Sequence, residues 1–210
     1  SRNLKENEFI SADENITIHY LSGNLNYILP DGFHTIIDLG DLDEIKVNFY
    51  GKGSVEFHTS NDTSKIKIKG NLNLDSLKTI TVNNNINVVE IENVNVVDNV
   101  ELFILNHDSK NVNVKISKIN LLEHSVAKLK GIEISDKISI KQTATAEFDP
   151  SVSVENAQFV IEIVEYQNDL IPMIKGELKE PPKEIVIKRI NQGGPKQNDE
   201  YLIFDGQFDC

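Results

Sequence analysis

Tryptophan is absent from this 210-residue chain, cysteine and methionine occur once each, and aromatic residues make up only 7% of it. A single cysteine, Cys210, cannot close an internal disulfide, so packing and hydrogen bonding must hold the fold. Its place at the last position also argues against a thiol nucleophile. The thiol reads equally as the partner of a cysteine outside this segment and as a reduced intracellular group.

Basic residues are in short supply. Lysine and arginine number 21 against 33 aspartates and glutamates, a net charge of −12 with a sequence pI near 4.8. Nucleic acid is therefore not expected as a partner, because phosphate binding needs a basic stripe that releases counterions. Anionic lipid would be repelled as well. No apolar run approaches the roughly 18 residues of a membrane span, and the opening Ser1-Arg2-Asn3-Leu4-Lys5 leads into no apolar signal core, so neither signal peptide nor direct membrane insertion is expected in this segment.

The motifs of familiar chemistry are missing too. There is no phosphate-binding glycine loop, metalloprotease helix motif, paired Cys-x-x-Cys or Gly-x-Ser-x-Gly elbow. No catalytic residue and no cofactor are expected. The five histidines, His19, His34, His58, His107 and His124, are so dispersed that only folding could gather them, and each alone reads as an ordinary surface group.

What the chain does contain is isoleucine and valine in short alternating runs. β-Branched side chains lose rotamer freedom in helices and pack well on a pleated surface. Runs such as Ile45-Lys46-Val47-Asn48-Phe49, Ile66-Lys67-Ile68, Val88-Val89-Glu90-Ile91, Val112-Asn113-Val114-Lys115-Ile116 and Ile132-Glu133-Ile134 follow one another from Ile16 onward. Alternation over so few residues puts one face inward and one outward, which predicts half-buried strands. Between them lie Gly51-Lys52-Gly53-Ser54, Ser60-Asn61-Asp62-Thr63-Ser64, Asn83-Asn84-Asn85 and Asn106-His107-Asp108-Ser109, residues that tolerate left-handed backbone or close Asx turns.

Two architectures share this texture, an antiparallel β-sandwich and a parallel β-solenoid. Hairpin dipeptides are confined to Asp31-Gly32 and Asp205-Gly206, so the middle of the chain favours the solenoid, with two or three runs per coil of about 20 to 30 residues. Asparagines beside the runs, as in Asn93-Val94-Asn95-Val96 and Asn111-Val112-Asn113-Val114, either ladder from coil to coil or are simply solvated. Five of the six prolines fall from Pro150 onward, where the apolar runs lengthen. The expected organisation is thus a solenoid over 1–156 and a less regular β segment over 157–210, a cap or a continuation, open to antiparallel pairing.

Candidate sites are few. Asp38, Asp41, Asp43 and Glu44 form the densest oxygen-rich stretch, a Ca²⁺ candidate whose spacing does not match an EF-hand loop and which otherwise reads as a solvated acidic corner. Asn15-Ile16-Thr17 and Asn61-Asp62-Thr63 are N-glycosylation sequons. Glu90, Glu101 and Glu133 alternate with apolar residues and would be the outward carboxylates of a glycan-cleaving site, should two of them share a face. Tyr20, Tyr27, Phe33, Tyr50 and Phe57 cluster in the first third as core or carbohydrate-platform residues.

With their Asn-rich corners, of which Thr81-Val82-Asn83-Asn84-Asn85-Ile86-Asn87 is typical, these runs resemble the right-handed parallel β-helix repeats of large adhesin-like surface proteins, including those of parasitic protists, over roughly residues 16–156. The resemblance implies a piece of a long extracellular or cell-surface protein that contacts a protein or glycan on another cell or matrix. β-Helix polysaccharide-active enzymes share the architecture and supply the alternative, although the clustered aspartates and catalytic base of the lyases have no counterpart here.

Overall fold

Each alternating run becomes a short strand, and each Gly/Asn/Asp/Ser cluster a corner. The computed structural model describes residues 2–3, 9–11, 14–76, 78–164, 172–190 and 203–208, among which there are 19 strands and no helix. One sheet holds β1 (Arg2–Asn3), β3 (Ile16–His19), β5 (His34–Asp38), β7 (Ser54–His58), β9 (Lys78–Val82), β11 (Asn99–Asn106), β13 (Val126–Leu129), β15 (Thr145–Phe148), β17 (Met173–Leu178) and β19 (Ile203–Phe208) in that order. The other holds β2 (Phe9–Ser11), β4 (Asn24–Leu29), β6 (Glu44–Gly51), β8 (Lys65–Leu74), β10 (Val88–Val96), β12 (Asn113–Leu121), β14 (Ile132–Ile140), β16 (Gln158–Val164) and β18 (Glu184–Ile190).

Consecutive strands thus alternate between the sheets, and each pairs in parallel with the strand one coil before and one coil after. This is a parallel β-solenoid. A sandwich would join consecutive strands by hairpins, and no pair of named strands runs antiparallel among the described residues. Ile45, Ile68, Ile91, Ile116 and Ile134 stack in register, which makes successive coils 23, 23, 25 and 18 residues long by subtraction. The region after residue 157 continues both sheets, with β14–β16, β15–β17, β16–β18 and β17–β19 all parallel, so the antiparallel option for the C-terminal segment is not realised. Pro150 and Pro181-Pro182 fall between strands, where no ladder N–H is required.

The long strands of the second sheet bend. In β10 the inward residues are Val89 and Ile91, then Val94 and Val96, so the alternation skips at Glu92-Asn93 and the strand turns a corner without leaving the ladder. The corner leaves little room. Gly70 of β8 has φ 85°, and a Cβ there would sit 2.0 Å from the carbonyl oxygen of Val47, its register partner on the coil below. Only glycine fits.

Inside, isoleucine and valine stack on equivalents from neighbouring coils, with an aromatic column near the start where Tyr27, Phe49 and Phe57 are all at most 1% exposed. Phe49 meets Tyr27 edge-on at 6.3 Å and stacks on Phe57 at 6.2 Å.

Stacking also orders the outside. Asn73 donates to Asn48 (3.1 Å), Asn95 to Asn73 (2.9 Å) and Asn120 to Asn95 (2.9 Å), while Asn93 donates to Asn71 (2.6 Å). The asparagines of the 93–96 run therefore ladder. Asn113 does not, because its register partner is Val88, and Asn111 forms an isolated antiparallel bridge with Leu105. Charges alternate by the same logic. Glu44, Lys67, Glu90, Lys115 and Glu133 form one register column on the second sheet, and Glu101, Lys128, Glu147 and Lys175 another on the first. Opposite charges in directly paired positions stabilise a sheet and penalise a slipped register.

Candidate histidine–carboxylate site

The outer face of the first sheet gathers several histidines around one carboxylate. On β7, Ser54, Glu56 and His58 alternate with inward Val55 and Phe57, although Glu56 is itself enclosed by its neighbours. His34 of β5 is the register partner of Ser54, and Asp38 that of His58. On the other side Glu56 faces Thr81 of β9, and Thr81 faces Leu105 of β11, so one small side chain separates Glu56 from the next coil but one. His107 lies two residues past Leu105, its backbone N–H held by the Val82 carbonyl at 3.1 Å, and from there it reaches back over β9.

Three imidazoles converge on the Glu56 carboxylate. His34 Nε2 lies 2.8 Å from Oε2, and His58 Nε2 lies 2.7 Å from Oε1. His107 Nε2 contacts the same Oε1, and it stands 3.2 Å from His58 Nε2. The rings of His58 and His107 meet edge-on at 5.2 Å. His34 is fixed in turn by a 2.6 Å bond between its Nδ1 and Ser54 Oγ. The Glu56 side chain is only 10% exposed, against 37% for His58 and 42% for His107, so the carboxylate forms a floor and the two imidazoles an open rim.

Burial pulls the Glu56 pKa upward, but the hydrogen bonds from His34 and His58 and the charges of His107 and His58 outweigh it and hold the group below its ordinary value. Glu56 is thus kept as an anion. Glu56, His58 and His107 each turn one ligand-type atom to a common point, all within 4.8 Å of one another, and they are the only such trio among the described residues. A neighbouring pair, His19 Nδ1 and Asp38 Oδ2 at 3.2 Å, extends the polar face toward the N-terminal end.

The residues singled out in the sequence fare differently. Asp38, Asp41, Asp43 and Glu44 do not converge on an ion. Asp38 is taken by His19 and the Gly40 N–H, Asp43 accepts from Thr63 Oγ1 at 3.2 Å, and Glu44 pairs with Lys69 at 2.6 Å. Glu90 and Glu101 lie on different sheets, and both Glu90 and Glu133 flank Lys115. Tyr27 is wholly buried and cannot be a carbohydrate platform, whereas Tyr50 is 43% exposed. Both sequons lie at corners. Asn61 is engaged through Asp41 O and the Thr63 N–H, while Asn15 is exposed and accepts from the His34 N–H at 2.7 Å. Cys210 lies outside the described residues.

The histidine cluster was invisible as a linear motif, yet a signal existed. His19, Asp38 and His58 are 19 and 20 residues apart, and His107 follows 49 later, two coils on. A groove of about 740 Å³ on the same sheet, lined by Glu101, Lys128, Glu147 and Asp149 beside Phe103 and Phe148, contains none of the histidines. In comparisons with known proteins, no family model, curated protein or solved structure matches the chain.

Proposed function

We propose that this chain is a non-catalytic binding module of the cell-surface or extracellular kind, a stiff solenoid presenting its outer faces to a protein or glycan on another cell or in a matrix. The observation that carries this reading is the alternation of outward glutamates with lysines. Glycoside hydrolysis needs two carboxyl groups facing each other across a gap the sugar can enter. Glu90 and Glu133 stand two strands apart, about 10 Å at sheet spacing, and the Lys115 position fills the space where a sugar would lie. Glu101 has the same relation to Glu147 across Lys128. Such columns hold the stack in register and present alternating charge along the outer faces, including the groove that Glu101, Lys128 and Glu147 help to line.

The acidic surface fits a soluble ligand-presenting rod, and an exposed Asn15 within a sequon fits a secreted setting. The test is an array of immobilised glycans and extracellular-matrix proteins, run beside a polysaccharide-turnover panel. The expected result is saturable binding to a restricted set of array members and no release of reducing ends. Turnover that is lost in Glu90→Gln or Glu101→Gln would favour the polysaccharide-active alternative, and an array bearing no bound partner would remove the adhesive reading.

A further inference from the structure

We propose that Glu56, His58 and His107 bind one divalent first-row transition-metal ion, zinc in kind, on the outer face of the first sheet. The inference stands on geometry alone and does not depend on the adhesive reading.

Two imidazole nitrogens and one carboxylate oxygen are the donor types zinc takes where three protein groups leave a further position open. A tetrahedral ion with bonds near 2.0 Å holds its ligand atoms about 3.3 Å apart. His58 Nε2 and His107 Nε2 already stand 3.2 Å apart. The His58 contact to Glu56 Oε1, at 2.7 Å, would widen by about 0.6 Å to reach that same spacing. Calcium and magnesium are the wrong class, since hard ions of that kind gather six or more oxygens and the trio offers one carboxylate.

The surroundings are those of a supported site. A ligating carboxylate needs its second oxygen held, and His34 Nε2 holds Glu56 Oε2 at 2.8 Å while Ser54 Oγ locks the His34 ring from behind. The carboxylate is buried and the rim imidazoles are open to solvent, so an ion has an entry path and an outward position for water or an external donor.

The ligands also come from non-adjacent coils. In a solenoid each coil touches mainly its neighbours, and stability is close to a sum of nearest-neighbour terms. An ion joining β7 to the turn after β11 spans β9, which supplies no ligand but lies underneath through Thr81. Bound metal therefore clamps three coils into one unit.

The experiment is zinc titration of chelator-stripped protein by calorimetry, with cobalt as a spectroscopic stand-in, followed by hydrogen exchange with and without zinc. One zinc should bind per chain, cobalt should show the visible d–d absorption of a low-coordinate site, and calcium should give no heat. His107→Ala and Glu56→Gln should each weaken zinc by on the order of 100-fold or more, whereas His124→Ala and Cys210→Ser should leave it unchanged. Circular dichroism verifies that the variants fold. Zinc should slow exchange in 78–82 in the wild type and not in His107→Ala. The proposal is overturned by no zinc binding, by undiminished zinc binding in folded His107→Ala, by equal binding of calcium, or by bound zinc that leaves 78–82 unprotected.

Discussion

Glu90 on β10 lies in register with Lys115 on β12. Lys115 faces Glu133 on its other side, so a lysine position stands between two glutamate positions on neighbouring coils, while the Glu90 carboxylate itself pairs with Lys65 at 2.7 Å. Parallel in-register stacking places like positions over like, and a column of identical charge would push the coils apart. Alternation removes that cost and makes a slipped register electrostatically worse.

Lys115→Glu should therefore create a run of three carboxylates. With each like-charged pair costing some tenths of a kcal/mol, the loss should be about 1 kcal/mol at low salt. Most of it should be recovered at high ionic strength, where the Debye length shrinks to about 3 Å. Denaturant titrations of the variant and the wild type in low and high salt check this, and a salt-independent loss would point to a cause other than charge.

Gly70 presents a steric limit. Gly70→Ala forces a Cβ against the Val47 carbonyl oxygen, 2.0 Å away, at a φ of 85°. The expected loss is on the order of 2–4 kcal/mol, seen as a lower denaturation midpoint. Gly32→Ala is the comparison, since it shares a positive φ, 79°, but has nothing within 4 Å of the added carbon. It should cost distinctly less.

Lys78 is buried, 1% exposed, with its ammonium held by the Gly51 and Gly53 carbonyls at 2.7 and 2.6 Å. Burial, opposed by Asp75 and Asp31, lowers its pKa from 10.5 to about 8. The folded chain then binds fewer protons than the unfolded chain between pH 8 and 10.5, so this group's contribution to stability rises with pH across that window, by at most about 3 kcal/mol. Below pH 8 the cost of burying the charge is fully present. Unfolding free energies at pH 7.5 and pH 10 should show a rise in the wild type that Lys78→Met lacks.

Glu56 behaves in the opposite sense. Its folded pKa is depressed below 4.5, so its ionised form stabilises the fold above the unfolded pKa, and that contribution is lost as pH falls through the folded value. Acid titration of stability should be less steep in Glu56→Gln than in the wild type below pH 4.5. Equal slopes would show that the three imidazoles do not hold the carboxylate.

Much of the architecture could be read from the chain because its physics is local. Val55-Glu56-Phe57 and Ile66-Lys67-Ile68 alternate with the pleat, and Gly51, Asn61 and Asn83 mark corners through their own turn preferences. Pairing direction followed from the scarcity of hairpin dipeptides. The corner inside β10 did not emerge, since Glu92-Asn93 reads as a simple slip of alternation until the coil below is in place.

The histidine cluster stayed hidden for another reason. His58 and His107 meet only because the coils between them happen to total 49 residues, and coil lengths along the chain range from 16 to 30. No local pattern encodes that sum. The charge columns were hidden likewise, for Glu90 and Lys115 are ordinary outward residues until their register is known.

The most direct test is anomalous diffraction at the zinc absorption edge from crystals of the chelator-stripped protein soaked in zinc. A single strong peak, about 2.0–2.2 Å from His58 Nε2, His107 Nε2 and a Glu56 oxygen, is the expected result. It would establish in one map both the stacking that joins coils two apart and the chemistry that stacking creates. A zinc peak elsewhere, or His58 and His107 on separate faces, would contradict the account.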